Sequence, residues 1–346
     1  MPRSYIRTPS VSASPWMIDS LARAYDWPTG LDGGGVIAIG ELGGGSSMGD
    51  LDKFCSMIGM PRPTVVDVSV NGGTNSGDLT DPASGEVALD IQAAAASYWV
   101  ATGKPAVIRV YYAPNANDSI EAATNQAAHD GCDVFSWSWG AKEALTGEAS
   151  CLSMESTVQT ALRLGMVVLA ASGDNGSRDI VASGWPANVD SPASCRHVIA
   201  CGGTRKTGAT FLARAETAWS EGGGGFSRIF QMPTWMSGAP HGGRMVPDLA
   251  ANADPETGVK VVLNGQVEIF GGTSFVSPLY AGLIAACGAK RGLLTADGIG
   301  PLLWADHMAF NDITRGNNGK FRAKEGPDAC TGLGSPIGTR IAALLK

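Results

Sequence analysis

Three stretches of the chain combine residue types that could perform nucleophilic and acid–base chemistry. In the first, Gly271-Gly272-Thr273-Ser274-Phe275-Val276-Ser277-Pro278 closes an expected strand and opens an apolar helix running to about Lys290. The preceding segment, Val259 to Phe270, alternates and carries Asn264-Gly265, the pattern of a hairpin whose returning strand delivers the chain to Gly271. Ser274 is thereby placed at a helix entrance, where two glycines let the backbone pass close to a ligand and the orphan N–H groups of the first turn point at it. A nucleophile whose product carries an oxyanion is well served by that position. The plainer reading makes Thr273 or Ser274 an N-cap.

The second stretch is Ser84-Gly85-Glu86-Val87-Ala88-Leu89-Asp90-Ile91, in a helix expected from about Gly85 to Thr102. Two acids four residues apart share a helix face, with Cβ atoms roughly 5–6 Å apart. On a solvated face they are ordinary N-terminal acids favoured by the helix dipole. Here Val87, Leu89, Ile91 and the run Ala93 to Ala96 leave little polar face, so the pair is expected to be buried and to share a proton or a partner. The third stretch, Val167-Val168-Leu169-Ala170-Ala171-Ser172-Gly173-Asp174-Asn175-Gly176, sets Asp174 just past a buried strand. It reads either as an Asx-turn or as an acid reaching into a site at the sheet's edge.

The elements that must position these residues follow from the apolar runs. Gly35 to Gly40 is a continuous apolar strand ending at Glu41, and strands are expected at about Thr64 to Val70, Ala106 to Ala113, Asp133 to Trp139 and Met166 to Ser172. Helices are expected at Ser14 to Tyr25, Met48 to Ile58, Gly85 to Thr102, Ser119 to Asp130 and Ser153 to Leu164. Short apolar strands alternating with helices describe an α/β fold, a mostly parallel central sheet with helices on both faces. In such sheets active residues collect at the carboxyl ends of the strands, where Glu41, Trp139 and Asp174 all stand.

Composition narrows the class. The 346 residues are 44% hydrophobic and only 16% charged, and no repeat or long linker divides them. That suits one large globular unit with a sparsely charged surface. The net charge of −7 without a basic stripe argues against nucleic acid and anionic membranes as partners. No apolar run reaches the ~18 residues of a membrane span, and Met1 to Ile6 carries no signal-peptide core. Seven cysteines without a CxxC pair exclude the usual zinc and redox motifs. Cys151 and Cys195 could bridge, while Cys132, Cys201 and Cys287 read as buried thiols.

Taken together in order and spacing, Ile39-Gly40-Glu41-Leu42-Gly43-Gly44-Gly45, Gly85-Glu86-Val87-Ala88-Leu89-Asp90, Ser138-Trp139-Gly140, Ala171-Ser172-Gly173-Asp174, Gly272-Thr273-Ser274 and the tail from Asp312 to Gly338 resemble the sedolisin family of serine-carboxyl peptidases, and its kumamolisin branch most. The resemblance spans the chain from about Pro15 onward. It implies a subtilisin-like fold with Ser274 as nucleophile, Glu86 as general base, Asp90 as partner of Glu86 and Asp174 as oxyanion donor. Glu41 and Trp139 match positions that support the glutamate.

This chemistry is coherent without the family. A carboxylate can serve a serine as base at acidic pH, where an imidazole would already be protonated. Asp174 must hold a proton to donate to an oxyanion, which requires a raised pKa. A Ser-His-Asp arrangement would need a histidine at the sheet edge. His129, His197, His241 and His307 stand in no such setting and are expected to be structural or solvated.

The run Asp312-Ile313-Thr314, Gly316-Asn317-Asn318-Gly319 and Lys324-Glu325-Gly326-Pro327-Asp328 is rich in oxygen donors, which suits a hard cation such as Ca²⁺ or an ordinary capped loop. The resemblance implies calcium there, held by the carboxylates of Asp312 and Asp328 and by carbonyls matching Ile313, Lys324 and Gly326. Lys324 departs from a family glycine.

The expected organisation is an N-terminal extension, 1–14, before a subtilisin-like peptidase domain, 15–346, that includes the calcium loop at about 311–335. The expected function is acid-acting endopeptidase cleavage of protein or peptide substrates. A tripeptidyl peptidase of the same fold and a catalytically silent calcium-bound binding protein are the alternatives. The resemblance further implies a monomer working outside the cell and a prosegment, which this chain, starting at Met1, does not contain.

Overall fold

The computed structural model describes residues 1–9, 15–116, 118–178, 188–207, 216–240, 242–288 and 297–346. In chain order its strands begin with β1 (Arg3–Ser4), β2 (Val36–Glu41), β3 (Thr64–Ser69), β4 (Val107–Tyr112), β5 (Val134–Trp137), β6 (Trp139–Lys142), β7 (Val167–Ala171), β8 (Asp190–Ser191), β9 (Ile199–Lys206) and β10 (Glu216–Ala218). Then come β11 (Gly225–Gln231), β12 (Gly243–Val246), β13 (Leu249–Asn252), β14 (Val259–Leu263) and β15 (Gln266–Phe270). The helices that cover the sheet and carry the site are α1 (Ile18–Ala24), α2 (Met48–Ile58), α3 (Pro82–Thr102), α4 (Ser119–His129), α5 (Glu143–Thr146), α6 (Glu148–Arg163) and α7 (Thr273–Ala286).

The main sheet runs β10-β9-β7-β5-β2-β4-β3, with β13 also paired to β9, and every pairing except β9 with β10 is parallel. The strand order reverses at β2, which lies between β4 and β5, so a crevice opens beyond its carboxyl end. Glu41 ends β2, Ser138 follows β5 and Asp174 follows β7, all at that edge. Two apolar cores, one on each face, satisfy the expectation of a sheet covered on both sides.

Helix α3 starts a turn earlier than its apolar run suggests. The Asp81 side chain accepts the Ala83 N–H at 2.9 Å, Pro82 occupies the first turn, and Gly103 ends the helix in the left-handed region. Its residues from Ser84 to Tyr98 are all buried, because α3 packs alongside α7 and is also covered by α1, β2 and β14. The two helices meet at Gly282, where a Cβ would lie 2.6 Å from the Ala94 carbonyl oxygen and 2.6 Å from Ser97 Cβ. Ser97 also donates to the Leu279 carbonyl at 2.6 Å.

Further boundaries differ from expectation, among them the start of α6, at Glu148 rather than Ser153. The strand expected from Asp133 to Trp139 breaks at Ser138, because β6 turns out of the main sheet to pair with β1 and β8. The first helix begins at Ile18 with Met17 at its cap, later than expected, and Ser14 lies outside the described residues. The end expected for α7, Lys290, likewise lies outside them; the described helix closes at Ala286.

Candidate active site

Helix α7 begins at Thr273 after Gly272, whose φ of 111° only glycine adopts readily. This turn leaves Ser274 in the first helical turn, facing α3. Glu86 and Asp90 project from α3 toward the same space, and Ser274, Glu86 and Asp90 are all 0% exposed. Ser138, between β5 and β6, joins the two helices. Its hydroxyl lies 2.9 and 2.7 Å from the two oxygens of Asp90 and 3.2 Å from the Ser274 carbonyl. Ser274 Oγ in turn lies 3.4 Å from the Ser138 carbonyl, the long limit of a hydrogen bond. No well-formed bond joins Ser274 to an oxygen of Glu86, although the hydroxyl acts on the ionisation of that carboxyl.

The electrostatics explain why these acids can coexist. Burial pushes Glu86 well above the ordinary carboxyl range, and the charge of Asp90 pushes it further, while the Ser274 hydroxyl opposes both. Asp90 is raised by burial and then by Glu41, against hydrogen bonds from Ser138 and Glu86. Both oxygens of Glu86 lack a hydrogen-bond partner as long as the two acids carry no proton. A proton held between the two carboxyls satisfies both, so they titrate as a pair. Glu41 is raised by burial and by Glu86, and accepts from Trp139 Nε1 at 2.9 Å.

Asp174 has one oxygen committed and one free. Oδ1 accepts the Thr273 N–H and the Thr273 hydroxyl, both at 2.8 Å, whereas Oδ2 is buried without a partner. Burial raises its pKa to about 7. A carboxyl in this condition is neutral in acid and presents an O–H from the unpaired oxygen.

The first residues of the chain lie across these groups. Arg3 and Ser4 pair antiparallel with Gly140 and Trp139, and the Tyr5 N–H donates to the Ser138 carbonyl at 3.1 Å. The Tyr5 carbonyl accepts the Ser274 N–H at 3.2 Å. Arg7 then exchanges two backbone bonds with Gly271, 2.9 and 2.7 Å. The residues expected as an extension are thus packed into the crevice at positions 3–7, with Tyr5 fully buried.

The sequence profile described as the Subtilase family matches residues 70–303. Kumamolisin from Bacillus sp. (strain MN-32) is 42% identical over 96% of this chain. The chain belongs to the sedolisin family. Sedolisin from Pseudomonas sp. (strain 101) is 30% identical over 90% of the chain. The chain spans 64% of the length of the first relative and 57% of the second. A solved structure described as Pseudomonas sedolisin, a serine-carboxyl proteinase complexed with two molecules of pseudo-iodotyrostatin, superposes with a TM-score of 0.82 at 28% identity, covering 96% of this chain and 98% of that one.

In this sedolisin-family chain the described histidines are engaged away from Ser274. His129 contacts the Asn125 carbonyl, His197 is held by Glu155 and Asp297, and His307 packs edge-on to Trp304. His241 lies outside the described residues. Cys151 and Cys195 are neighbours, the Cys195 sulfur lying 4.0 Å from the Cys151 carbonyl, but both thiols are free, which corrects the bridge considered for them.

The loop from Asp312 to Asp328 is folded around its two acids. Asp312 accepts the Gly326 N–H at 2.9 Å, and Asp328 accepts the N–H groups of Lys324, Cys330 and Thr331 at 2.9, 2.9 and 3.0 Å. The carbonyls of Ile313, Lys324 and Gly326 accept no hydrogen bond from the described residues. Lys324 is exposed, so its ammonium is free to extend into solvent. Two carboxylates and three uncommitted carbonyls in one loop are a donor set that fits a hard cation.

Residue-level reading of the sequence gave no separate role to Ser138 or Asp190, and offered Thr273 only as an N-cap, whereas its N–H and hydroxyl hold Asp174 Oδ1. Ser138 stood inside the Ser138-Trp139-Gly140 stretch, but nothing local announces that its hydroxyl holds Asp90. Asp190 carries no motif at all; it matters because β8 brings it beside Tyr5, whose hydroxyl donates to it.

Proposed function

We propose that the chain is an acid-acting serine-carboxyl endopeptidase. The observation carrying this reading is the Tyr5 carbonyl hydrogen-bonded to the Ser274 N–H, next to the unpartnered oxygen of Asp174. In the proposed reaction Ser274 Oγ attacks a substrate carbonyl and passes its proton to Glu86, after rotating from the Ser138 carbonyl. Asp90, fixed by Ser138, orients Glu86 and shares its proton. The oxyanion receives hydrogen bonds from the Ser274 N–H and the protonated Asp174. Glu86 returns the proton to the leaving amine, and water then hydrolyses the acyl-enzyme by the same route. Glu41 and Trp139 hold the polar environment of Glu86 in place.

Internal cleavage is favoured over tripeptidyl release because an extended chain continues past the third position on the acyl side, with the Pro2 carbonyl accepting from Asn115 at 3.0 Å. In the same reading residues 15–346 act as one peptidase domain and Asp312, Asp328 and the carbonyls of Ile313, Lys324 and Gly326 hold Ca²⁺. Bound calcium would fasten that loop, with no part in the chemical step. The family resemblance supports action as a monomer outside the cell; no helix among the described residues is long and apolar enough to cross a membrane.

The test is hydrolysis of a soluble peptide with both ends blocked, at pH 4, together with capture by a peptide aldehyde. Cleavage abolished in Ser274→Ala, and adduct mass located on Ser274, are expected. Hydrolysis that requires a free substrate N-terminus would overturn the endopeptidase reading, and a chain that neither cleaves nor captures would favour a silent binding protein.

A further inference from the structure

The geometry points to Gln92 as a positioning residue for the proposed reaction: it fixes the rotation of α3 about its own axis, and with it the approach of Glu86 to Ser274. The inference rests on the peptidase reading above. Gln92 is 2% exposed and stands two residues past Asp90 on the same helix. Its side-chain amide meets one backbone residue twice. Oε1 accepts the Val262 N–H at 2.9 Å, and Nε2 donates to the Val262 carbonyl at 2.8 Å. A carboxamide carries one acceptor and one donor group side by side, so it answers a strand residue's N–H and C=O as a neighbouring strand would.

One edge of β14 pairs with β15, and the other is filled piece by piece. Trp16 donates to the Gly258 carbonyl at 2.8 Å and accepts the Lys260 N–H at 2.9 Å. The Asp50 side chain, from α2, accepts the N–H groups of Asn264 and Gly265, both at 2.7 Å. Val262 lies between these clamps at 0% exposure, where an unpaired N–H and carbonyl would be costly. Gln92 is the clamp that comes from α3. The hairpin it grips runs on through Phe270 to Gly271 and Ser274, so one side chain ties the helix carrying the base to the strand that delivers the nucleophile.

Gly85 lies seven residues before Gln92, on the same face of α3. A Cβ there would lie 3.4 Å from the Phe270 ring and 3.9 Å from the Leu263 side chain, so this face rests on both strands of the hairpin. Apolar contact alone is non-directional and would let the helix turn; two hydrogen bonds to a single backbone residue do not. Glu86 follows Gly85, about 100° further round the helix. At the radius of about 5–6 Å that side chains reach, a rotation of about 10° moves the Glu86 carboxyl by about 1 Å. An error of about 1 Å between reacting groups can cost on the order of 10²-fold in rate.

The test compares four variants with the unaltered chain on a soluble, end-blocked peptide at pH 4, each well below its melting temperature. Gln92→Met keeps the length of the side chain and loses both hydrogen bonds, and Gln92→Asn keeps the amide but stops one methylene short of Val262. Gln92→Glu, buried and protonated at pH 4, keeps a carbonyl for the Val262 N–H and an O–H for the Val262 carbonyl. Val158→Ala weakens the core on the opposite face of the sheet, away from α3. Gln92→Met and Gln92→Asn are expected to lose about tenfold or more in kcat with KM within about threefold, while Gln92→Glu stays within about threefold in both. Val158→Ala should melt lower and keep its kcat. Methionine and asparagine variants that melt lower yet keep kcat overturn the positioning role and leave a purely structural glutamine. A glutamate variant as slow as the methionine one, or a Val158→Ala chain that loses kcat as its melting temperature falls, also overturns it. Should the methionine variant fail to fold, the asparagine and glutamate variants decide by the same comparison. An unaltered chain inert toward the peptide brings down the peptidase reading, and this assignment with it.

Discussion

Glu86 and Asp90 are tolerable at 0% exposure only because each alters what the other must do with its proton. Ser274 and Glu86 are proposed to act as one device, so their losses should not add. Ser274→Ala and Glu86→Gln are each expected to remove nearly all turnover, and the double variant should be little worse than either, read as kcat/KM on a soluble peptide. Asp174 makes a sharper prediction, because its two oxygens have separate tasks. Asp174→Asn can keep Oδ1 on Thr273 and offer an amide N–H where the acid offered O–H, whereas Asp174→Ala offers nothing. The alanine variant should lose about 10²–10³ in kcat, the usual effect of removing one oxyanion donor, and the asparagine variant less. An amide does not titrate, so Asp174→Asn should also lose the part of the alkaline limb that Asp174, near pH 7, contributes. Equal losses in the two variants would remove the donor role.

The site is assembled by how closely α3 and α7 approach, and Gly282 sets that distance. Gly282→Ala places a methyl 2.6 Å from the Ala94 carbonyl, which is backbone and cannot rotate away, so the helices must part. Overpacking of this kind costs about 1–3 kcal/mol, and the expected result is a melting temperature lower by a few degrees with kcat falling more than KM rises. An unchanged kcat would mean that the helix spacing does not set the geometry of Ser274 and Glu86. The apolar strands, the hairpin into Gly271 and the two acids of α3 were legible in the sequence because periodicity and local spacing encode them. The start of α3 was legible too, in Asp81-Pro82, but the apolar run drew attention to Gly85. What stayed hidden was non-local: the break at Ser138, the pairing of β6 with residues 3–4 and the meeting of Asp190 with Tyr5 arise only when segments distant in sequence are brought together. The loop from Asp312 to Asp328 carries its own test at this scale. If it holds Ca²⁺, stripping the ion should lower the melting temperature and make it depend on calcium concentration, since a ligand bound only by the folded state stabilises by mass action. An unchanged melting temperature in demonstrably metal-free protein would leave a plain capped loop.

Over the whole molecule the fold buries carboxyls on a scale that makes pH a structural variable. Burial is the leading cause that raises Glu41, Glu86, Asp90, Asp174 and Asp190 alike, with Asp190 reaching about 6 and Asp174 about 7. Each of these groups holds its proton more tightly folded than unfolded. Their stabilising contribution is therefore fully present below the ordinary carboxyl pKa of ~4 and is lost as pH rises through the folded value. For Asp174, moved from 3.8 to about 7, that loss is on the order of 4 kcal/mol at roughly 1.4 kcal/mol per unit. His197 acts in the same direction: Glu155 raises it, so its contribution is full below ~6.5 and fades as pH climbs past its folded value. Glu155, where His197 outweighs the effect of burial and the net shift is downward, contributes above the ordinary carboxyl pKa and loses that share only as pH falls through its own lowered value. The melting temperature should accordingly be highest in mild acid and decline between pH 4 and 7, the opposite of a protein whose carboxylates are held in exposed ion pairs. Peptidase activity should fall over the same interval, for a separate reason: the ionised Asp174 has no proton to donate. A brief exposure to pH 7 well below the melting temperature separates the two effects, because deprotonation reverses on re-acidification and activity should return in full while circular dichroism stays native throughout. A melting temperature that rises from pH 4 to pH 7 would show that these carboxyls are ionised in the folded protein, and with that the proton on Asp174, and the acid chemistry built on it, would have to be given up.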